Sequence, residues 1–259
     1  MRIASFNANS IRNRLPIILN WMNENQCDVL CVQETKVQDH EFPLDEIEKA
    51  GYYCIFRGQK TFNGVAIISK CEPRNVELDS GLGIGDEEAR FIKAVYNGVA
   101  VVNTYIPQGT AVDSPRFQFK LDWIRSMRDY FQRDLTPDDP IVWTGDFNVA
   151  REPIDVYDPE GLFGSVCFNP EEHKALDYVR EWGFVDVFRM HHPGEANQFT
   201  FWDYRVPNAL KRRIGWRLDH IWATMPLAEK SSNCWVDIAP RLLEKPSDHT
   251  FIVADFDIG

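Results

Sequence analysis

The sequence has no surplus of basic charge. Its 259 residues include 28 Lys and Arg against 39 Asp and Glu, and the formal net charge is −11. A surface that is basic all over is therefore excluded, and any polyanionic partner must be held by local features of the protein. Apolar material is plentiful, since 44% of the residues are hydrophobic and 13% are aromatic. Such a composition can offset the entropy of ordering, which excludes disorder over most of the chain.

The chain also lacks long apolar runs and paired cysteines. No run approaches the ~20 apolar residues that cross a bilayer, and no basic segment followed by an apolar stretch opens the chain. We therefore expect no membrane partner and a cytoplasmic location, associated with the nucleoid in a prokaryote. The six cysteines include no Cys-x-x-Cys pair, and Cys31 lies inside an apolar run, so we expect reduced core thiols.

Short apolar runs of strand type alternate with helical patterns along the whole chain. Apolar spacing predicts helices around Leu15–Met22, Trp123–Phe131 and Pro170–Trp182. No linker, repeat or low-complexity tract interrupts this order, so we predict one domain over residues 1–259 of class α/β (α+β). The predicted strands are Arg2–Phe6, Val29–Val32, Val65–Ser69, Phe91–Val95, Val99–Tyr105, Ile141–Thr144, Leu218–Ala223 and Ile252–Phe256.

Polar side chains stand repeatedly at the ends of these predicted strands. Carboxylates and amides have little reason to flank buried strands unless they line a common site. Their oxygens suit a hard divalent cation such as Mg²⁺. The residues in these positions are Asn7, Gln33, Glu34, Tyr105, Asp146, Asn148, Asp219, Asp248 and His249.

Several other chemistries lack their motifs. The chain has no His-Glu-x-x-His helix for zinc and no Gly-x-Ser-x-Gly elbow for a serine nucleophile. Gly81, Gly83 and Gly85 run into three acidic residues, which have the wrong sign to cradle phosphate, so this cluster is predicted to be a turn. Metal-assisted hydrolysis of a phosphodiester or phosphomonoester remains.

Roles in that hydrolysis can be assigned from residue type. Glu34 is the natural metal anchor, and Asp146 with Asn148 could align and deprotonate a water. His249, oriented by a carboxylate such as Asp219, could donate a hydrogen bond to the developing charge. Each residue alone has an ordinary alternative: Glu34 as a surface acid, for example, or Asp219 as the ion-pair partner of the nearby Arg217.

Eight short segments, in order, span nearly the whole chain: Asn7–Arg12, Gln33–Lys36, Asn63–Ala66, Tyr105–Gly109, Gly145–Asn148, Thr200–Arg205, Gly215–Asp219 and Ser247–His249. Together they resemble the exonuclease III family of abasic-site endonucleases, part of the endonuclease/exonuclease/phosphatase superfamily. The resemblance implies a four-layered α/β sandwich, in which two packed mixed sheets are flanked by helices and the site lies at one end.

The same resemblance implies an activity and its partners. It implies a Mg²⁺-dependent hydrolase, with Mn²⁺ as a substitute, that cuts the phosphodiester 5′ of an abasic site to leave a 3′-hydroxyl. It further implies 3′–5′ exonuclease or 3′-end trimming activity in base excision repair. The partner would be double-stranded DNA containing abasic sites or 3′ ends, and we expect the protein to be a monomer.

Site residues follow from the resemblance position by position. The implied metal ligands are Glu34, Asn7, Asp248, Asp146, Asn148 and His249. The implied catalytic residues are Asp146, Asn148, His249, Asp219 and Tyr105. The implied substrate-binding residues are Arg90 and Gln108 on the DNA backbone and Phe201, Trp216 and Leu218 in an apolar pocket for a flipped-out, base-free deoxyribose. The basic stretch Lys211, Arg212, Arg213 and Arg217 would hold DNA phosphates or form a solvated charged loop.

Some residues depart from the family pattern, and two other readings stay open. Ser10 stands where the family usually has Gly, Phe62–Asn63 replaces Tyr-Ser, and Thr250 follows His249 where a different residue is common. None of these departures removes a ligand.

The alternative functions are another superfamily activity, such as a phosphoinositide phosphatase or a nonspecific deoxyribonuclease, and a binding protein that has lost catalysis. Trp202 has a plain alternative as a core aromatic.

Overall fold

The computed structural model describes residues 1–258 as two six-stranded mixed sheets packed face to face. The first sheet, in the order β11-β12-β1-β2-β4-β3, contains β1 (Arg2–Asn7), β2 (Val29–Gln33), β3 (Tyr53–Arg57), β4 (Val65–Ser69), β11 (Ser231–Asp237) and β12 (Phe251–Phe256). The second sheet, in the order β5-β6-β7-β8-β10-β9, contains β5 (Arg74–Glu77), β6 (Phe91–Tyr96), β7 (Val99–Tyr105), β8 (Ile141–Asp146), β9 (Phe184–Asp186) and β10 (Asp219–Thr224).

Helices cover the outer face of each sheet. On the first sheet lie α1 (Ile11–Glu24) and α2 (Leu44–Lys49), and on the second lie α3 (Pro115–Asp134) and α5 (Pro170–Arg180). The four-layered sandwich implied by the family resemblance is therefore confirmed. Within residues 1–258 four short α-helices complete the fold, α4 (Pro159–Leu162), α6 (Val187–His191), α7 (Ala209–Arg212) and α8 (Met225–Ala228), together with 3-10 helices at Asp39–Glu41, Pro153–Asp155 and Ala239–Leu242.

The two helices on the second sheet begin at well-defined caps. The Ser114 side chain accepts a hydrogen bond from the backbone N–H of Phe117, and Pro115 occupies the first turn of α3. A reciprocal capping box between Asn169 and Glu172 opens α5. These caps satisfy backbone donors that the first helical turn leaves free.

The eight predicted strands correspond to β1, β2, β4, β6, β7, β8, β10 and β12. The four strands that the apolar pattern did not predict are the edge strands of the two sheets, β11 and β3 in the first and β5 and β9 in the second. Central strands are covered on both faces and read as continuous apolar runs. Edge strands bury less surface, as in the exposed β5, so their sequences carry a weaker signal.

Strand direction gathers the predicted polar residues at one end of the sandwich. The parallel pairs β1–β2 and β7–β8 end there, while the antiparallel β10 and β12 begin there. Asp219, the first residue of β10, is directly opposite Asp146, the last residue of β8. Residues separated by most of the chain therefore meet in one place.

Other composition-based expectations can also be compared with the structure. All six cysteines are free, as expected. Gly81 to Gly85 form bends and turns. Within residues 1–258, no helix has the length and apolar character needed to span a membrane.

Candidate active site

Asn7 joins the two sheets at the centre of the site. Its side-chain amide donates to the Oε1 of Glu34 over 2.8 Å and to the Oδ2 of Asp146 over 2.9 Å. Asn7 ends β1 and Glu34 follows the neighbouring β2 in the first sheet, whereas Asp146 ends β8 in the second. A single amide thus sets the spacing between two carboxylates of different layers.

The turn after β8 presents Asp146 and Asn148 together. The backbone N–H of Asn148 donates to Asp146 Oδ1 over 2.8 Å, and the Asn148 side chain donates to the carbonyl of Ile106 over 3.0 Å. Asn148 has a left-handed φ of 51°. The position before Asp146 requires glycine, because at the φ of 139° found at Gly145 a Cβ would lie 1.9 Å from the carbonyl oxygen of Thr104.

His249 and Asp219 form a buried pair. The Nδ1 of His249 lies 2.7 Å from Asp219 Oδ2, and its Nε2 lies 3.8 Å from Asp146 Oδ2. Burial opposes the charged imidazolium, but the charges of Asp219 and Asp146 outweigh it and raise the pKa of His249 to about 10. The ring is therefore a hydrogen-bond donor at neutral pH. The protonated ring can donate a hydrogen bond from Nε2, as the predicted donor role requires.

The two other central carboxyls respond differently to burial. Burial, with the nearby charges of Asp219 and Glu34, raises the pKa of Asp146 to about 7 against the opposing effect of His249. Burial also acts to raise the pKa of Glu34, but Lys36 and the amide of Asn7 outweigh it and hold that pKa below its ordinary value. Glu34 is therefore an anion at neutral pH, while Asp146 is close to its midpoint.

The donor set fits a divalent cation with oxygen ligands. Asp219 Oδ1 is buried with no hydrogen-bond partner among residues 1–258, and ligand atoms of Asp146, Asp219 and His249 lie within 4.8 Å of one another. Asp248 faces the same cavity, where its Oδ1 accepts a hydrogen bond from Asn9 over 2.9 Å. Buried carboxylates in excess of neighbouring positive charge are the arrangement that a hard cation completes.

A cavity of about 690 Å³ opens over these groups and has one apolar wall. Phe201, Trp216 and Leu218 all line it, as predicted for the pocket. Phe201 pairs through its backbone with Trp216 and with His249, and its ring centroid lies 4.9 Å from that of His249. The apolar wall is thus tied directly to the acidic floor.

Three predicted residues flank the cavity on the β7 side. Tyr105 and Gln108 line it, whereas Arg90 lies behind Tyr105, is 5% exposed and is absent from the lining. The guanidinium of Arg90 bonds to Glu88, donates to the Tyr105 carbonyl over 3.0 Å and stacks 4.7 Å from the Tyr105 ring centroid. Burial and then the charges of Glu34 and Asp146 raise the pKa of the Tyr105 hydroxyl well above its ordinary value, so this hydroxyl stays protonated.

The structure corrects the expectations for Arg217. This side chain is fully buried and bonds to Asp155 and Asp186, each over 2.8 Å, so it is unavailable to a DNA phosphate. The alternative in which Arg217 pairs with Asp219 is wrong too, since Asp219 pairs with His249. The rest of the basic stretch is exposed but does not line the cavity. Trp202 is a core aromatic, buried beside Phe199.

Sequence reasoning assigned no role to several polar residues of the cavity. Lys36 Nζ lies 2.5 Å from Glu34 Oε2 and donates to Asn9 Oδ1 over 2.6 Å. Asp203 and Arg205 form an ion pair at the rim. Lys36 and Asn9 each lie two residues from a predicted ligand after a strand, which is a signal that could have identified them.

Ser10 and Asn63 adopt left-handed backbone conformations, with φ values of 95° and 54°. The φ of 95° explains why glycine suits position 10, because a residue with a Cβ is strained in that conformation. Ser10 nonetheless keeps its backbone hydrogen bond to the Glu34 carbonyl over 2.8 Å. The Thr250 hydroxyl donates to the Asp237 carbonyl over 2.5 Å, away from the ligands. These departures leave the site intact.

Comparison with known proteins agrees with this geometry. Exodeoxyribonuclease III of Haemophilus influenzae is 30% identical over 271 aligned residues, which cover 99% of this chain and all of that protein. An AP endonuclease structure from Archaeoglobus fulgidus superposes with a TM-score of 0.96 at 46% identity, and a Neisseria 3′ phosphatase bound to a product DNA hairpin with 0.95 at 34%, each over the whole of both chains. The model of the endonuclease/exonuclease/phosphatase family matches residues 4–249, and the chain therefore belongs to that family.

Proposed function

We propose that this chain is a Mg²⁺-dependent endonuclease that cuts DNA on the 5′ side of an abasic site in base excision repair and also trims 3′ ends. The observation that carries the proposal is one cavity in which a buried acidic floor meets an apolar wall. The floor suits phosphodiester hydrolysis, and the wall suits a sugar without its base. Relatives named for exodeoxyribonuclease and AP endonuclease activity support both halves.

Asp146 is the residue that prepares the attacking water. It is held by the Asn7 amide and the Asn148 N–H, and a pKa near 7 suits a group that must accept a proton at neutral pH. As Asp146 takes the proton, the water oxygen bonds to phosphorus and the bond from phosphorus to the 3′-oxygen breaks. The 3′-oxygen takes a proton from solvent water and leaves as a hydroxyl, and the phosphate stays on the abasic residue.

His249 stabilises the charge that develops on the phosphate. Asp219 accepts a hydrogen bond from Nδ1, which leaves the protonated Nε2 directed toward Asp146 and the cavity. A preorganised charged donor in a site that excludes water contributes strongly to such stabilisation. The protonated Tyr105 hydroxyl supplies a further donor in the same cavity.

Glu34 is the principal residue to hold the metal, assisted by Asn7 and Asp248, with Asp146 and Asn148 within reach. A divalent cation bound there neutralises charge on the phosphoryl oxygens. Carboxylate and amide oxygens favour Mg²⁺, and Mn²⁺ accepts the same ligands.

The apolar wall selects the substrate. Phe201, Trp216 and Leu218 offer contact area to a flipped-out deoxyribose, and the wall presents few polar groups to a base edge. DNA must approach a protein of net charge −11, so local groups such as the exposed Lys211–Arg213 hold the backbone. We expect binding to be strongly salt-dependent and weak without divalent metal.

Incision of a duplex with one tetrahydrofuran site tests this proposal. We expect Mg²⁺-dependent cutting that excess chelator and Glu34→Gln both abolish, while Glu24→Gln, a change at the exposed far end of α1, cuts normally. Undiminished cutting by Glu34→Gln or in chelator would overturn the metal role. A preference for undamaged duplex or phosphoinositide would overturn the substrate, and 3′-recessed duplexes report end trimming.

A further inference from the structure

A lysine occupies a core position of helix α3. Lys120 lies on the same face as Phe117, Leu121 and Ile124, all buried against the second sheet, and it is itself 0% exposed. A charged side chain is costly to bury unless its charge and hydrogen bonds are fully compensated. The position therefore demands an explanation that packing alone does not supply.

Every donor of this ammonium has an acceptor. Nζ donates to the backbone carbonyl of Asn148 over 2.7 Å, to that of Gln108 over 3.1 Å and to Oε1 of Glu172 over 2.5 Å. A lysine has three N–H donors, so the set is complete. Two of the three acceptors belong to residues that line the cavity, although Lys120 itself does not.

Glu172 extends the connection to a third loop. Its Oε1 also accepts from the backbone N–H of Cys167, and its Oε2 accepts from that of Asn169, both over 3.1 Å. Cys167 lines the cavity as well, and its carbonyl accepts from Ala150 N–H over 2.7 Å. The Lys120–Glu172 ion pair thus joins the segments after β7, after β8 and before α5 at one buried point.

The geometry points to Lys120 as a positioning residue for the active site. By holding the Asn148 carbonyl, it fixes one end of the residue whose own backbone N–H orients Asp146, within a turn whose left-handed φ needs support. By holding the Gln108 carbonyl, it sets the opposite rim of the cavity. This role rests on the proposed function, since it concerns the reaction at that same site.

The test removes both charges together, so that no ion is left stranded in the core. Lys120→Met/Glu172→Gln keeps the side-chain volumes and is compared with the wild type on the tetrahydrofuran duplex. We expect kcat to fall about 10- to 100-fold, because small displacements of catalytic groups carry losses of that order. We expect KM to change less than kcat, because Lys120 holds only the backbone carbonyl of the rim residue Gln108 and does not itself line the cavity.

Two single variants separate positioning from stability. Glu172→Gln alone leaves the ammonium on both carbonyls but without its counter-ion, so it should lower the melting temperature, while its kcat well below that temperature should fall less than that of the double variant. Met22→Ala opens a cavity in the core between α1 and the first sheet, far from these loops, and should lower the melting temperature. At temperatures well below the new melting temperature, its kcat should equal that of the wild type. Amide hydrogen exchange around residues 146–150 should speed up in the double variant and not in Met22→Ala.

The outcomes distinguish this inference from the proposed function. The positioning role is overturned if the double variant keeps the kcat of the wild type. It is also overturned if Met22→Ala loses as much kcat as the double variant. In both cases the proposed function still stands, provided that the wild type cuts the duplex. A wild type that does not cut the duplex overturns the proposed function itself. In that case faster exchange around residues 146–150 in the double variant still supports the loop connection, and unchanged exchange overturns it.

Discussion

Two buried charge clusters lie next to each other at the end of the sandwich, and they differ in balance. In the first, which we call the arginine cluster, two carboxylates meet two guanidiniums: Asp155, Asp186, Arg189 and Arg217. In the second, which we call the acid cluster, three carboxylates meet one imidazolium and one ammonium: Glu34, Asp146, Asp219, His249 and Lys36. The first is complete as a folded unit, and the second has an excess of negative charge.

The pKa values record this difference. Burial acts to raise the pKa of Asp155, but Arg217 and then Arg189 outweigh it and lower that pKa, and Arg217 does the same for Asp186. At Asp146 in the acid cluster burial prevails, and the pKa of this carboxyl rises to about 7. Comparable burial thus gives opposite protonation behaviour, and the decisive factor is the number of cations within reach.

The largest effect is expected in the acid cluster. Asp146→Asn should lower kcat by about 10²- to 10⁴-fold, because it removes the group that accepts the proton of the water. In chelator the same variant should melt at a higher temperature than the wild type, because it removes one surplus anion from a buried site. Single-turnover cutting and calorimetry measure the two effects. Asp138→Asn on an exposed loop serves as the control and should change neither kcat nor the melting temperature. A lower melting temperature for Asp146→Asn would contradict the charge argument.

The arginine cluster should show the reverse pattern, with a large effect on folding. Arg217→Met should lower the free energy of unfolding by about 3–5 kcal/mol, because it leaves Asp155 and Asp186 buried without their main partner. Urea denaturation gives this value, and the exposed Arg213→Met is the matched control. A loss no greater than that of the control would show that the cluster is not held by its charges.

The pH dependence of stability sharpens the same comparison. Asp186 has a lowered pKa in the folded state, so its stabilisation is complete above the ordinary Asp value of about 3.9 and is lost as pH falls through the lower folded value. Asp186→Asn should cost about 1–3 kcal/mol near neutral pH, as for removal of a partner in a buried hydrogen-bonded group. The difference in unfolding free energy between Asp186→Asn and the wild type should narrow below about pH 4, because the unfolded wild-type chain then binds a proton that the folded Asp186 does not. Denaturation midpoints of the two proteins measured across pH test this expectation. A difference between the midpoints that stays constant below about pH 4 would contradict it.

The smallest effect is expected at the loop beside Glu34. Ser10→Gly should raise the free energy of unfolding by up to about 1 kcal/mol, because relief of a strained φ of 95° slightly exceeds the added flexibility of the unfolded chain. Thermal unfolding measures it, with Ser232→Gly on the exposed part of β11 as a control that should destabilise slightly. Equal changes in both variants would argue against strain at position 10.

The sequence predicted more of the acid cluster than of the arginine cluster, for a physical reason. Asp146, Asp219 and His249 stand at strand ends, where a polar residue after an apolar run is conspicuous. Arg217 stands in the basic stretch and looks like a solvated residue, and Lys120 looks like an ordinary helical lysine. For Lys120, the one local signal of burial was its place on the apolar face of α3, three residues after Phe117.

Local patterns therefore determined the central strands, the main helices and which residues could do chemistry, because side-chain period and strand-end polarity are readable within a few residues. Tertiary structure alone decided which charges meet. Asn7 bonds to Asp146 across 139 residues and Arg217 to Asp155 across 62. Burial and partner together set whether a carboxylate is a structural anion or a catalytic one, and both are supplied by elements distant in the chain.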